Sequence, residues 1–221
     1  MTPTEYAAVI ESVTAFIECA AIVFASMVAA FGIDAWRREH VGKRRLELAE
    51  EALTLFYQAR DVITMIRSPM GYMGEGSTRK SDPSESPEVK EALDKAYVAI
   101  ERYNEHVELF GKIRALKYRF MAQFGVDESK SFDEMDGVIN EIFRASRQLG
   151  SCWKSMSRGR EPTPAELERI RKWESVFWSG EDPDVIDQKV DALVKRVEST
   201  NQQIVKGGGT LFGILNVPLW K

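Results

Sequence analysis

The feature that most constrains this chain is an apolar run close to its start. Residues 13–33 read Val-Thr-Ala-Phe-Ile-Glu-Cys-Ala-Ala-Ile-Val-Phe-Ala-Ser-Met-Val-Ala-Ala-Phe-Gly-Ile, with Glu18 as the one charge. An α-helix rises ~1.5 Å per residue, so about 20 apolar residues cross the hydrocarbon of a bilayer. The run meets that length. A cleaved signal core is shorter and follows basic residues, whereas no Lys or Arg precedes Arg37 here. The pattern predicts a transmembrane helix over 13–33, preceded by a short external N-terminus over 1–12.

The flanks predict which way the helix points. Arg37, Arg38, Lys43, Arg44 and Arg45 follow the run, opposed by Glu39 alone, and the upstream side carries only acids. Basic flanks stay cytoplasmic. The expectation is a single-pass protein of the plasma (cytoplasmic) membrane, N-terminus outside, with the domain after residue 37 cytoplasmic. Trp36 stands where an interfacial aromatic belongs. Trp36 and the five basic residues are the expected lipid headgroup contacts, each charge contributing about 1 kcal/mol close to an anionic surface.

The run is also sorted around its axis. At ~100° per residue, Glu11, Thr14, Glu18, Ala21, Ala25, Ala29 and Gly32 fall in one sector, opposite Phe16, Ala20, Val23, Phe24, Met27 and Phe31. Small residues four apart let helix backbones approach closely in lipid. Glu18, Ala21, Ala25, Ala29 and Gly32 are therefore the expected association face, for a second copy or for a partner membrane protein. Glu18 costs about 2.5–3.5 kcal/mol near a span centre and less towards its edge. Protonation, a hydrogen bond to another copy, or reach towards the outer headgroups would each relieve that cost.

Beyond the run the sequence reads as all-α. Apolar residues Leu46, Ala49, Leu53, Phe56, Ile63 and Ile66 recur at helical spacing, and no Pro or Gly interrupts 43–67. This predicts a juxtamembrane or stalk helix over 34–67, with Gly42 as a candidate bend. Three glycines and three prolines then fall within residues 68–87, and a flexible loop is expected over 68–86. Residues 87–206 carry the stripes of an antiparallel bundle of about four to five helices. Ser86-Pro87-Glu88 opens the first, a near-heptad stripe from Val89 to Phe120 ending near Gly125. Ser131, Thr163 and Asp182-Pro183 open the others, and Gly207 to Gly209 stop the last. The apolar tail 207–221 is too short to span. It would touch the membrane if the bundle has four equal rods, and end at the far side if residues 163–178 form a full fifth.

The composition offers little chemistry. His40 and His106 are the only histidines, and neither has a Glu three residues before it as a di-iron bundle requires. No Cys or His spacing fits zinc. Cys19 and Cys152 are read as small buried hydrophobes. Glu101, Glu105 and Glu108 read as a solvated face, with Arg102 and Lys112 near them. Lys112, Arg114, Lys117 and Arg119 make a modest basic patch. From Arg37 onward, however, 30 bases face 30 acids, the chain's 34 less the four before it. A neutral domain does not favour nucleic acid. No cofactor, metal or small-molecule substrate is expected. The reading is a non-enzymatic, membrane-anchored interaction module that self-associates through its span and has the bilayer as a partner. The alternatives are a small membrane sensor or regulator of transport responding through Glu18 or the tail and, behind it, a membrane-bound enzyme with an unrecognised site.

Overall fold

The computed structural model describes the backbone of residues 3–208 and the side chains of residues 13–202. Within them are six helices and no strand: α1 Pro3–Ile66, α2 Pro87–Glu105, α3 Val107–Phe124, α4 Lys130–Ser157, α5 Pro164–Phe177 and α6 Val185–Gly208. The all-α class expected from periodicity is the class observed. The chain divides into two compact units between Arg45 and Leu46. α1 contributes to both. Its helix starts at Pro3 and runs on past Ile33 and Gly42, so the expected segments 13–33 and 34–67 belong to one element.

In the first unit every side chain from Val13 to Val41 is exposed. Ser26 donates to the Ile22 carbonyl at 2.8 Å, which satisfies its hydroxyl inside the helix. Past the apolar run, Arg38 pairs with Asp34 at 2.8 Å and Trp36 stacks on His40.

The second unit is a helical bundle. Several of its boundaries follow from local chemistry. Ser86 caps α2 by accepting from the Val89 N–H, with Pro87 at the first helical position. Thr163 and Glu166 close a reciprocal capping box on α5. Asp184 caps α6 by accepting from the Ile186 and Asp187 N–H groups, two residues beyond the Asp182–Pro183 opening expected, whose peptide bond is cis. α4 begins one residue before Ser131. Ser129 stands at its N-cap position and turns its hydroxyl back to the Val126 carbonyl.

The core is apolar and aromatic. Ala52, Phe56, Ala59 and Ile63 of α1 meet Phe120, Phe132, Met135, Ile142 and Leu149 of α3 and α4. Phe132 is edge-on to Phe56 and tilted against Phe120, and Phe177 is edge-on to Trp153. Each such side chain contributes about 1.5–3 kcal/mol by leaving water.

Ion pairs fix the directions of the rods. Arg102, near the end of α2, reaches the end of α1 and Arg119 pairs with Glu51, so α3 runs back along α1, while Ala96 of α2 meets Ser146 in the later half of α4. Asp133 and Asp136 of α4 pair with Lys117 and Arg114, which reverses direction again. α6 reverses once more, pairing Lys189 with Glu141 and Arg196 with Glu134. Four long rods alternate, and the short α5 lies between α4 and α6 in the chain. In this unit the end holding Leu46 is the near end and the end holding Ile66 the far end.

One expectation needs correction. The stripe from Val89 to Phe120 is not one helix. His106 interrupts it at φ −115°, ψ 16°, its N–H turning back to the Tyr103 carbonyl. α2 packs closely along α4, whereas α3 does so much less. Residues 68–86 carry no helix, and Arg102 and Arg79 make ion pairs with Glu75, Glu85 and Asp94 there.

Candidate functional site: the exposed apolar face and the clasped loop

Phe16, Ile17, Ile22, Val23, Phe24, Met27, Val28, Phe31 and Ile33 are all more than half exposed. Fully burying such side chains gains about 1.5–3 kcal/mol each. Over these residues the sum is on the order of 15–25 kcal/mol, more than the ~5–15 kcal/mol net stability of a typical domain. Among the described residues, no part of the apolar window is buried. The described residues contain one helix long and apolar enough to cross a membrane.

The sequence-derived face stands on that helix. Glu18, Ala21, Ala25, Ala29 and Gly32 are exposed along one side, and a Cβ added at Gly32 meets nothing within 4 Å. Trp36, Arg37, Arg38, Lys43, Arg44 and Arg45 are exposed on the following turns. Glu11 and the 209–221 segment lie outside the residues whose side chains or backbone are described.

The second unit holds two buried arginines that the sequence did not single out. Arg102 was expected beside a solvated acidic face and is instead buried. It forks onto both oxygens of Glu75 at 2.8 Å and donates to the carbonyls of Met65, Ile66, Ser68 and Met70 at 2.7–3.2 Å. Those carbonyls lie at the end of α1 and just beyond it, where a helix leaves its last acceptors without partners. Glu75 also accepts from the Tyr72 N–H at 3.1 Å. Hydrogen bonding to Arg102 is the main cause holding the Glu75 carboxyl below its ordinary pKa, against the upward push of burial.

A second arginine closes the loop's other half. Arg79 pairs with Glu85 at 2.6 Å and with Asp94 of α2 at 2.9 Å. Gly76, at φ +85°, lies so close to Asp94 that an added Cβ would stand 1.9 Å from its carbonyl oxygen. Gly76→Ala is therefore expected to cost about 2–4 kcal/mol, from left-handed strain plus overpacking. Faster hydrogen exchange of the loop amides than in the wild type will register it. Between these anchors Met70, Tyr72 and Met73 are each more than 80% exposed.

Arg67 organises the far end. Its side chain is fully buried and donates to the carbonyls of Ser175, Val176 and Trp178, to Asp184 at 2.9 Å and to Asp187 at 2.8 Å. Burial pushes the Asp184 carboxyl up, but Arg67 and the Asp187 N–H outweigh it and hold it below its usual range. Asp187 is pushed up by burial and then by the charge of Asp184. One guanidinium thus serves two carboxylates and the last turn of α5.

Among the described residues, the remaining candidates gather into no reactive constellation. Arg114, Lys117 and Arg119 of the basic patch each face an acid, namely Asp136, Asp133 and Glu51. Glu101, read as solvated, is partly buried, with one carboxylate oxygen lacking a hydrogen-bond partner. The His106 break separates Glu105 from Glu108, and no group of His, Cys, Asp and Glu able to hold a metal occurs among the described residues. Cys152 is half-buried, and Cys19 is exposed on the apolar run of α1. The fold and these sites define an all-α chain with one candidate membrane span and an arginine-fastened bundle. No protein-family model matches it, and neither a curated protein nor a solved structure shows significant similarity to it.

Proposed function

We propose that this chain is a non-enzymatic, membrane-anchored interaction module. Residues 13–33 cross the plasma membrane with the N-terminus outside, and the bundle lies in the cytoplasm. The observation that carries the reading is the exposed apolar run of α1, followed at once by Arg37, Arg38, Lys43, Arg44 and Arg45. Such a surface needs an apolar medium on one stretch and tolerates anionic headgroups on the next. If alkaline carbonate washing releases the full chain from vesicles, the anchor is excluded.

Within the bilayer, Glu18, Ala21, Ala25, Ala29 and Gly32 form the contact between copies, because small side chains permit close backbone approach. Ala25→Leu should weaken crosslinking of copies in membranes about tenfold, on the ~1–2 kcal/mol scale of a lost helix–helix contact. Phe24→Leu, on the opposite side, should leave it unchanged. Equal behaviour of the two variants rejects an oriented face.

A further inference from the structure

We propose that the outer face of α4 is the docking surface for a short acidic segment of a partner protein. The inference rests on the interaction-module reading above and names a partner chemistry for the bundle. It starts from an uneven charge. Residues 144–172 hold eight Lys and Arg against three acids, a net +5 in a chain of net −4, so the remainder sums to −9. Within that stretch Arg144, Arg147, Ser151 and Arg158 are exposed. At ~100° of rotation per residue they share a sector about 60° wide. The opposite side of α4, with Ala145, Ser146 and Leu149, is buried. The three arginines therefore form a row ~21 Å long on a helix whose other face is held by the core. Arg114, Lys117 and Arg119 each face an acid. Among the described residues, no carboxylate lies within 4 Å of Arg144, Arg147 or Arg158. Arg169, Arg171 and Lys172 of α5, which packs on α4, are exposed as well and add positive charge.

Helix stability alone does not account for the row. Cations help a helix when they stand in its last turn. That covers Arg158 but neither Arg147 nor Arg144, about three turns or more before it. What the row offers is guanidinium forks, which match carboxylate and phosphate in shape. Two features select an acidic protein segment among the polyanions. No aromatic side chain is exposed within 144–172, so the stacking platform for a single-stranded nucleic acid is missing. A nucleic-acid duplex or a lipid surface extends well beyond ~21 Å and would bring its charge against the acidic remainder of the chain. Six residues of extended chain cover about 20 Å. A short run of Asp and Glu therefore meets the row and ends with it.

The test uses the full chain in a neutral detergent and a fluorescein-labelled hexaglutamate peptide, with fluorescence anisotropy at low salt as the readout. One variant combines Arg144→Glu, Arg147→Glu and Arg158→Glu. A control with the same change of net charge combines Lys90→Glu, Lys112→Glu and Lys195→Glu, all at exposed positions. Matched melting midpoints by circular dichroism show that both variants fold. The α4 variant should lose at least about tenfold in affinity and the control less than about twofold, since contact charges act locally and distant ones are screened. Equal loss in the two variants overturns the inference, as does a wild-type chain that leaves the peptide free. A labelled DNA duplex that binds more tightly than the peptide, and is lost with the same three arginines, overturns the choice of an acidic protein segment. Crosslinking of copies through residues 13–33, measured on the same samples in membranes, reports separately on the module reading. Peptide binding that persists without such crosslinking supports the α4 surface while the self-association reading falls.

Discussion

Arg67→Ala is expected to lower the stability of the bundle by about 3–5 kcal/mol, because it strands a buried charge rather than deleting a contact. Asp184 is 7% exposed and would lose its ion pair, while the carbonyls of Ser175, Val176 and Trp178 would lose their donor. For a chain of this size that is a fall in melting midpoint on the order of 10 °C. Thermal or urea unfolding of the full chain in mild detergent, followed by helical circular dichroism, measures it. Arg67→Lys should recover only part of the loss. An ammonium is a single point of charge and cannot fork to both Asp184 and Asp187 while reaching three carbonyls. Equal stability of Arg67→Ala and wild type would sink the view that this residue holds α5 and α6 to the end of α1.

The second large effect is expected at Arg102. Arg102→Ala leaves Glu75 unpaired and removes the donor shared by Met65, Ile66, Ser68 and Met70, again about 3–5 kcal/mol. Replacing both partners, Arg102→Met with Glu75→Leu, should cost much less, since no charge is then left buried. Acid reaches the same clasp by another route. The Glu75 carboxyl is depressed in the folded chain, chiefly by its hydrogen bonds from Arg102. Its contribution to stability is therefore complete above its unfolded pKa of about 4.5 and is lost as pH falls through the lower folded value. Hydrogen exchange at the Tyr72 amide, which donates to Glu75, should accelerate in that acid range before the core amides do. Glu75→Gln should abolish the pH dependence. An acid profile identical in Glu75→Gln and wild type would assign the loosening to other carboxylates.

What could be read from the sequence, and what could not, divides along a physical line. The apolar run of α1, the Ser86-Pro87 start of α2 and the Thr163–Glu166 box of α5 are local. Each is written in neighbouring residues, so each was legible. The break at His106 was not, because no Pro or Gly marks it and the apolar stripe continues through it. Arg67 and Arg102 were missed for a different reason. Both continue helical apolar stripes, Arg67 four residues after Ile63 and Arg102 three after Ala99. A charge there is tolerated only through partners such as Asp184, 117 residues away in the chain. Periodicity carries no information about such distant compensation. The same limit hid the fastening of the loop, whose glycines and prolines report turns but not that Arg79 and Arg102 hold the turns in place. The direction of α6 was open for a like reason. Whether residues 163–178 make a full rod depends on how α5 packs, and the pairing of Arg67 with Asp184 and Asp187 answers it.

The way the loop is built separates two demands that usually compete. Its backbone is secured from behind, through carbonyls and the Glu75 carboxylate, while the side chains of Met70, Tyr72 and Met73 stand exposed. Those three positions can be exchanged, or fitted with a dye or an affinity handle, without disturbing the helices beneath. Any change in behaviour after such an exchange would report on what the chain meets rather than on how it stands.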